Sequence, residues 1–227
     1  MPARALPTHL DLPDTDGKPA ETTFQSVQSR LLTGCLRPVF DQLHPDYNYF
    51  VGADSGIYWR LDTDDPLQGC KSPDWYYVPN VPPMLDGTYR RSYVLWQENV
   101  RPLLVIEYVS GNGSEERDAT PGTGKFWVYE QMIQAWYYAI HDPDRERLEV
   151  FELVGGRYRA LEATTEGRYL IEPIGLELGV WQGEYQDISA AWLRAWDRDG
   201  KMIASLEEKA DKLAARLREL GVDPESV

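Results

Sequence analysis

The stretch RPLLVIEYVS, residues 101–110, is the most apolar run of the chain, yet it carries an acid, Glu107. Read as a strand, it directs Leu103, Val105, Glu107 and Val109 to one face and Leu104, Ile106 and Tyr108 to the other. Glu107 therefore ends an apolar row. A carboxylate there must be hydrogen-bonded, paired with a cation or bound to a metal, because burying it bare is costly. Either the strand reaches solvent or an arginine at Glu107, or Glu107 belongs to a site.

Outward from this run, WYYV at residues 75–78 reads as a second strand, and the prolines of PNVPPMLDG after it read as loop. On the other side, GNGSEERDATPGTG, residues 111–124, is a long loop whose four glycines predict mobility. Residues 125–134 read as a helix with Phe126, Tyr129, Met132 and Ile133 on its apolar side. Strands follow at 136–141 and 148–153, and Val154-Gly155-Gly156 turns the second into RYRALEA.

Nearer the start, Phe24, Val27, Leu31, Leu32, Cys35, Val39 and Phe40 form a helical stripe within residues 21–43, which Gly34 and Pro38 should bend or end. Residues 47–59 read as a hairpin or strand pair around Asp54-Ser55-Gly56. This alternation of helices and strands predicts an α/β (α+β) fold: a central mixed β-sheet flanked by helices. Ile203, Leu206, Ala210, Leu213, Leu217 and Leu220 add a C-terminal heptad-patterned helix. Its stripe fits packing within the chain or a homodimer. The expected organisation is an arm at 1–20, one domain at 21–200, and an amphipathic helix and tail at 201–227.

Composition narrows the function. Lys+Arg 23 against Asp+Glu 37 gives a net charge of -14, which opposes unspecific adhesion to nucleic acid or anionic lipid, so any phosphate-binding surface must be local. Cys35 and Cys70 have no CxxC spacing and suggest neither a disulfide framework nor a zinc site. The first residues lack the apolar core of a signal peptide, and no apolar run is long enough to span a membrane, so a cytoplasmic protein is expected.

Three residues suggest chemistry: Asp74 before the WYYV strand, Glu107, and Lys125 at the start of the helix after the loop. GTGK invites a phosphate-loop reading, but Ala119 and Phe126 stand where that motif needs glycine and Ser or Thr. Two carboxylates and a strand carbonyl, however, suit Mg²⁺, with Mn²⁺ as a substitute, while a lysine neutralises phosphate. No Ser/His/Asp or Cys/His arrangement supports a small-molecule hydrolase.

The chain resembles the Uma-type restriction endonucleases of the PD-(D/E)XK nuclease fold. The likeness extends from about residue 24 to 221 and rests on PDWYYVPN, RRSYVLWQEN, RPLLVIEYVS, YYAIHDP and LEVFELVGGRY, with the RD…GK…YE pattern of Arg117, Asp118, Lys125, Tyr129 and Glu130. It implies a restriction-endonuclease-like core, Asp74 and Glu107 as metal-binding acids, and the Tyr108 carbonyl as a third ligand. That pattern normally has lysine two residues after the second acid, where Val109 stands, and the resemblance implies that Lys125 replaces it. The implied function is metal-dependent hydrolysis of DNA phosphodiester bonds; the alternative is a catalytically inactive module for DNA binding or protein interaction.

Arg90, Arg91, Arg101 and Arg117 flank the acids in sequence and are candidates for binding the DNA substrate or for surface ion pairs. Glu21 is either an extra site acid or a favourable helix-start charge. Asp118 is read as a loop or metal-proximal acid, Asp54 as a turn former, and His9, His44 and His141 as solvent-facing or structural.

Overall fold

A central six-stranded sheet organises the computed structural model, which describes residues 6–13, 22–61 and 65–226. Helix α1 (Thr23–Leu43) precedes β1 (Tyr49–Gly52), β2 (Ile57–Tyr58), β3 (Cys70–Lys71), β4 (Trp75–Pro79), β5 (Met84–Leu85), β6 (Thr88–Tyr89) and β7 (Tyr93–Val94). Next come α2 (Leu95–Glu98), β8 (Leu104–Tyr108), α3 (Lys125–Trp127) with a π-helical turn at Val128–Ile133, β9 (Tyr137–Asp142), β10 (Arg147–Val154) and β11 (Arg157–Ala160). The chain closes with β12 (Tyr169–Ile171), β13 (Leu176–Tyr185), β14 (Ile188–Trp196) and α4 (Leu206–Glu219).

The central order is β1-β4-β8-β9-β10-β11, with β8 and β9 parallel and the other neighbours antiparallel, so the expected mixed sheet is present. All of β8 is buried. Leu104, Ile106 and Tyr108 join the cluster containing Leu32, Leu36 and Phe40 of α1, whereas Val105 joins the cluster containing Val128, Tyr129 and Ile133. Glu107 shares the face of Val105, so it points toward α3. The Trp and Tyr excess largely fills these layers: Trp75, Trp192, Tyr76, Tyr77, Tyr93, Tyr108 and Tyr138 are among the largest fully buried side chains.

Helix α1 begins with a capping box, in which Thr22 Oγ1 accepts from Gln25 N and Gln25 Oε1 accepts from Thr22 N. It continues through Pro38 to Leu43, rather than ending there. The proline removes one helical donor, but the buried Leu32, Leu36 and Phe40 hold both halves against the sheet. Gln28, fully buried, fastens this helix to β14: its Nε2 donates to Leu193 O and its Oε1 accepts from Leu193 N.

Several expectations change. The two strands of residues 47–59 do not pair with each other; β1 joins β4, whereas β2 joins β3 and β7 in a separate three-stranded sheet. Asp54 between them has φ +47°, a turn conformation that diverts the chain. PNVPPMLDG is not entirely loop, because Asp86-Gly87 closes the β5–β6 hairpin with both φ values positive. Strands β12, β13 and β14 form a further sheet, whose long β13–β14 hairpin turns at Gln186-Asp187, with φ +50° and +59°.

The described part of the N-terminal arm lies against the domain: Leu12 packs with Tyr58 and Val94, and Trp96 Nε1 donates to Pro7 O. At the other end, Ser205 and Glu208 cap α4, and Glu208 pairs with the buried Arg194. No residue of α4 is buried, and Leu213 and Leu220 of its apolar stripe are exposed, so packing within the chain is limited to this anchored first turn. Among the described residues, no helix is long and apolar enough to cross a membrane.

Removing the Gln28 amide would strand two buried backbone groups of Leu193. Gln28→Ala is expected to lower unfolding free energy by about 2–4 kcal/mol in urea titrations, whereas Gln42→Ala on the exposed side of α1 should change it by less than about 0.5 kcal/mol.

Candidate active site

The antiparallel register Trp75↔Ile106 brings the residue before β4 beside the end of β8, which is how Asp74 and Glu107 meet. Tyr108 N donates to Asp74 Oδ2 at 2.5 Å, and Ser29 Oγ of α1 donates to the Asp74 carbonyl at 3.1 Å. The amide of Asp54 also points to the carbonyls of Pro73 and Asp74. These bonds hold Asp74 at the strand edge. In extended backbone the N–H and C=O of one residue face the same side, so the Tyr108 carbonyl faces the Asp74 side as well.

Glu107 is only 1% exposed, and both its oxygens are engaged. Oε1 accepts from the Tyr129 hydroxyl at 2.5 Å, and Oε2 accepts from Lys125 Nζ at 3.1 Å. Lys125 and Tyr129 lie four residues apart, a spacing that places both on one side of the helical segment. Lys125 also approaches Glu115 Oε1 at 3.4 Å. Thus β8 does not reach solvent at Glu107 or meet an arginine there; its acid meets a lysine and a tyrosine from the crossover to β9.

The loop ahead of α3, expected from its glycines to be mobile, is fastened to the domain at several points. Glu116 is buried, its carbonyl accepts from the Tyr138 hydroxyl, and Arg117 binds both Glu149 and the Gly113 carbonyl. The Asp118 carbonyl accepts from Phe126 N and Trp127 N, while its carboxylate accepts from Thr120 N. Gly124 permits this fold-back, because a Cβ there would stand 2.3 Å from the Asp118 oxygen. The start of α3 is consequently fixed where Lys125 reaches Glu107.

Burial pushes the Asp74 carboxyl up to about 8, and the charge of Glu107 and a side-chain hydrogen bond with it push the same way, against the Tyr108 N–H. Burial also raises Glu107, opposed by Lys125 and Tyr129. For Lys125, burial favours the neutral amine, but Glu107 and Glu115 outweigh it and hold the ammonium above its ordinary range. Lys71 is lowered by burial and by the charge of Lys125. Two carboxylic groups in contact, with a strand carbonyl alongside, form a hard-oxygen donor set of the kind that takes Mg²⁺. Among the described residues, no group of three or more His, Cys, Asp and Glu side chains is placed to hold a metal ion, so a backbone oxygen would have to complete the protein's share of the set.

These residues open into a cleft of about 950 Å³. Asp74, Glu107, Tyr108 and Lys125 all line it, together with Lys71, Glu115 and the Ser26, Arg30, Thr33 and Arg37 side of α1. The arginines expected to bind substrate lie elsewhere. Arg90 is sealed inside, bidentate to Glu98 and over the Phe50 ring; Arg91 donates to the Leu10 carbonyl of the N-terminal segment; and Arg117 is engaged by Glu149. Arg101 lies over Trp136. Each meets a partner outside the cleft, which proximity in sequence to the acids could not reveal.

Glu21 lies outside the described residues. The three histidines are structural: His9 Nδ1 accepts from Arg91 N, His44 pairs with the Tyr77 hydroxyl, and His141 bonds the Ala191 carbonyl. Burial lowers His141 to about 4, so it is neutral near pH 7. Sequence reasoning missed Lys71, Arg30 and Arg37. A signal existed for the arginines, because they are spaced seven apart on the side of α1 away from its apolar stripe.

A crystal structure described as a putative nuclease belonging to DUF820, from Anabaena variabilis, is similar at 13% identity, covering 67% of this chain and 80% of its own with a TM-score of 0.42. No curated protein matches the chain. The family model described as Uma2, putative restriction endonuclease, matches residues 15–191. That span is most of the sequence, and the protein therefore belongs to the Uma2 family.

Proposed function

We propose that the protein is a metal-dependent endonuclease that hydrolyses DNA phosphodiester bonds, with Asp74, Glu107 and the Tyr108 carbonyl holding Mg²⁺ or Mn²⁺ and Lys125 beside them. The observation that carries this reading is the strand register that sets the half-buried Asp74 beside the buried Glu107, both lining a cleft that Lys125 also reaches. Carboxylates held side by side and poorly hydrated repel unless a proton or a cation neutralises them. Family membership supports a nuclease rather than another use of such a pair.

When bound, the cation would supply Lewis-acid stabilisation of phosphoryl oxygen and a more acidic water. Lys125 remains protonated at neutral pH and presents charge where oxyanion character develops on the phosphate. Tyr129 fixes the rotamer of Glu107 from below, leaving Oε2 turned to Lys125. Tyr108 N orients Asp74 in the same way. Val109, at the usual position of the lysine, is compensated by the crossover helix, which delivers an ammonium to the same acid.

The reading has two direct tests. Glu107→Gln is expected to abolish Mg²⁺-dependent plasmid cleavage and weaken Mn²⁺ binding in calorimetry, and Lys125→Met to slow cleavage by about 100-fold or more with cation binding retained. No cleavage by wild type above the background of Glu107→Gln would favour the inactive-module alternative.

The second test is pH dependence without metal. An aspartate near 3.9 in the unfolded chain and about 8 in the folded one makes the folded state bind the extra proton between those values. Stability in EDTA should therefore fall as pH rises from 5 to 8, by up to about 1.4 kcal/mol per unit from this residue. Asp74→Asn should remove much of that slope, as read by thermal melts; parallel wild-type and mutant profiles would contradict the assignment.

A further inference from the structure

We infer that Arg30, Thr33 and Arg37 of α1, with Lys71 of β3, form a track that grips the sugar-phosphate backbone of a nucleic-acid strand as it crosses the cleft. The inference rests on the nuclease reading and deepens it, by saying which surface holds the polymer around the bond to be cut.

The charge pattern of α1 is the first ground. Helix α1 carries Arg30 and Arg37 against a single acid, Asp41 in its last turn, whose Oδ1 accepts from the Tyr49 hydroxyl, in a chain whose net charge is -14. Ser26, Arg30, Thr33 and Arg37 recur at spacings of four, three and four, which makes one helical stripe, and all four line the cleft. The opposite stripe, including Leu32, Leu36 and Phe40, is buried in the core. The helix is thus oriented by its apolar side and presents its cations to the site.

The partners of the cations are the second ground. Acids outnumber cations 37 to 23, and several arginines elsewhere hold carboxylates, among them Arg90 with Glu98, Arg117 with Glu149 and Arg194 with Glu208. Among the described residues, neither Arg30 nor Lys71 has an ion pair, and Arg37 meets the Tyr49 hydroxyl. Lys71 lines the same cleft, where burial first and the charge of Lys125 second disfavour its ammonium, against the opposing charges of Glu115 and Glu107. A phosphate between or beside these ammonium groups would relieve that repulsion. Thr33 Oγ1 accepts from Trp75 Nε1 at 2.9 Å, which leaves its own proton to donate.

Length is the third. Seven residues of α-helix separate Arg30 from Arg37 by about 10 Å along the axis, roughly the rise of three nucleotides of one strand in B-form DNA. Such a row suits a continuous backbone better than a single phosphate. The α1 part of the track comes from one face of the central sheet and Lys125 from the other, with Lys71 on the Lys125 side, so a strand laid between them would pass over Asp74 and Glu107.

The test is binding of a fluorescein-labelled 20-base-pair DNA duplex in EDTA, by anisotropy across a salt series. Arg30→Gln/Arg37→Gln should lose at least about tenfold in affinity near 0.1 M salt and flatten the slope of log K against log[salt] by about 1.8, and Lys71→Gln by about 0.9. The double variant Arg159→Gln/Lys201→Gln, which removes the same charge from exposed positions outside the cleft, should leave the slope unchanged. If the first double variant unfolds, the single variants Arg30→Gln and Arg37→Gln replace it, each expected to flatten the slope by about 0.9, and an unchanged slope in both overturns the track.

An unchanged slope in Arg30→Gln/Arg37→Gln, an equal loss in the control, or no binding by wild type would overturn the track. Wild type that binds through these residues but cuts no DNA with Mg²⁺ or Mn²⁺ would uphold the track and sink the nuclease reading. Wild type that cuts while Arg30→Gln/Arg37→Gln keeps its slope would do the reverse.

Discussion

A carboxylate at the end of a fully buried strand survives only if its lost hydration is replaced, and the structure around Glu107 is organised by that requirement. Tyr129 and Lys125 occupy its two oxygens, and Asp74 stands against it from the neighbouring strand. The compensation is incomplete. Burial still raises both acids, so the pair holds a proton more tightly than exposed carboxylates do and is disposed toward a cation.

The topology explains how partners so distant in sequence converge. Antiparallel pairing of β4 with β8 sets the first residue before one strand against the last turns of the other, whereas the parallel pair β8 and β9 requires a crossover. That crossover starts at the Glu107 end of β8. Its loop folds back through Asp118 and Gly124, so the first residue of α3 emerges beside the acid it must neutralise. A lysine need not therefore lie two residues along the strand. The crossover helix brings one to the same carboxylate from above the sheet face.

Charge is distributed by the same logic. In an acid-rich chain most arginines meet carboxylates, and pairing removes them from any role with a substrate. Of the arginines near the acids in sequence, Arg90 and Arg117 are taken in this way, while Arg91 donates to the Leu10 carbonyl and Arg101 lies over Trp136. Those of α1 share their helix with one acid, Asp41, which the Tyr49 hydroxyl binds, and an apolar stripe fixes which side of the helix faces the core.

The sequence by itself determined the alternation of β8, the apolar stripe of α1 and the mixed sheet, and it singled out Asp74, Glu107 and Lys125, because these depend on local periodicity and on residue types whose burial demands partners. It could not say that residues 47–59 divide between two sheets, that Gln186-Asp187 closes a long hairpin without glycine, or that the glycine-rich loop is packed. Nor could it separate Arg30 and Arg37 from Arg90, Arg91 and Arg117. An arginine is available to a ligand only if no carboxylate or carbonyl has taken it, and which acids come within reach of which cations is decided by strand register and by the crossover, both properties of the folded chain alone.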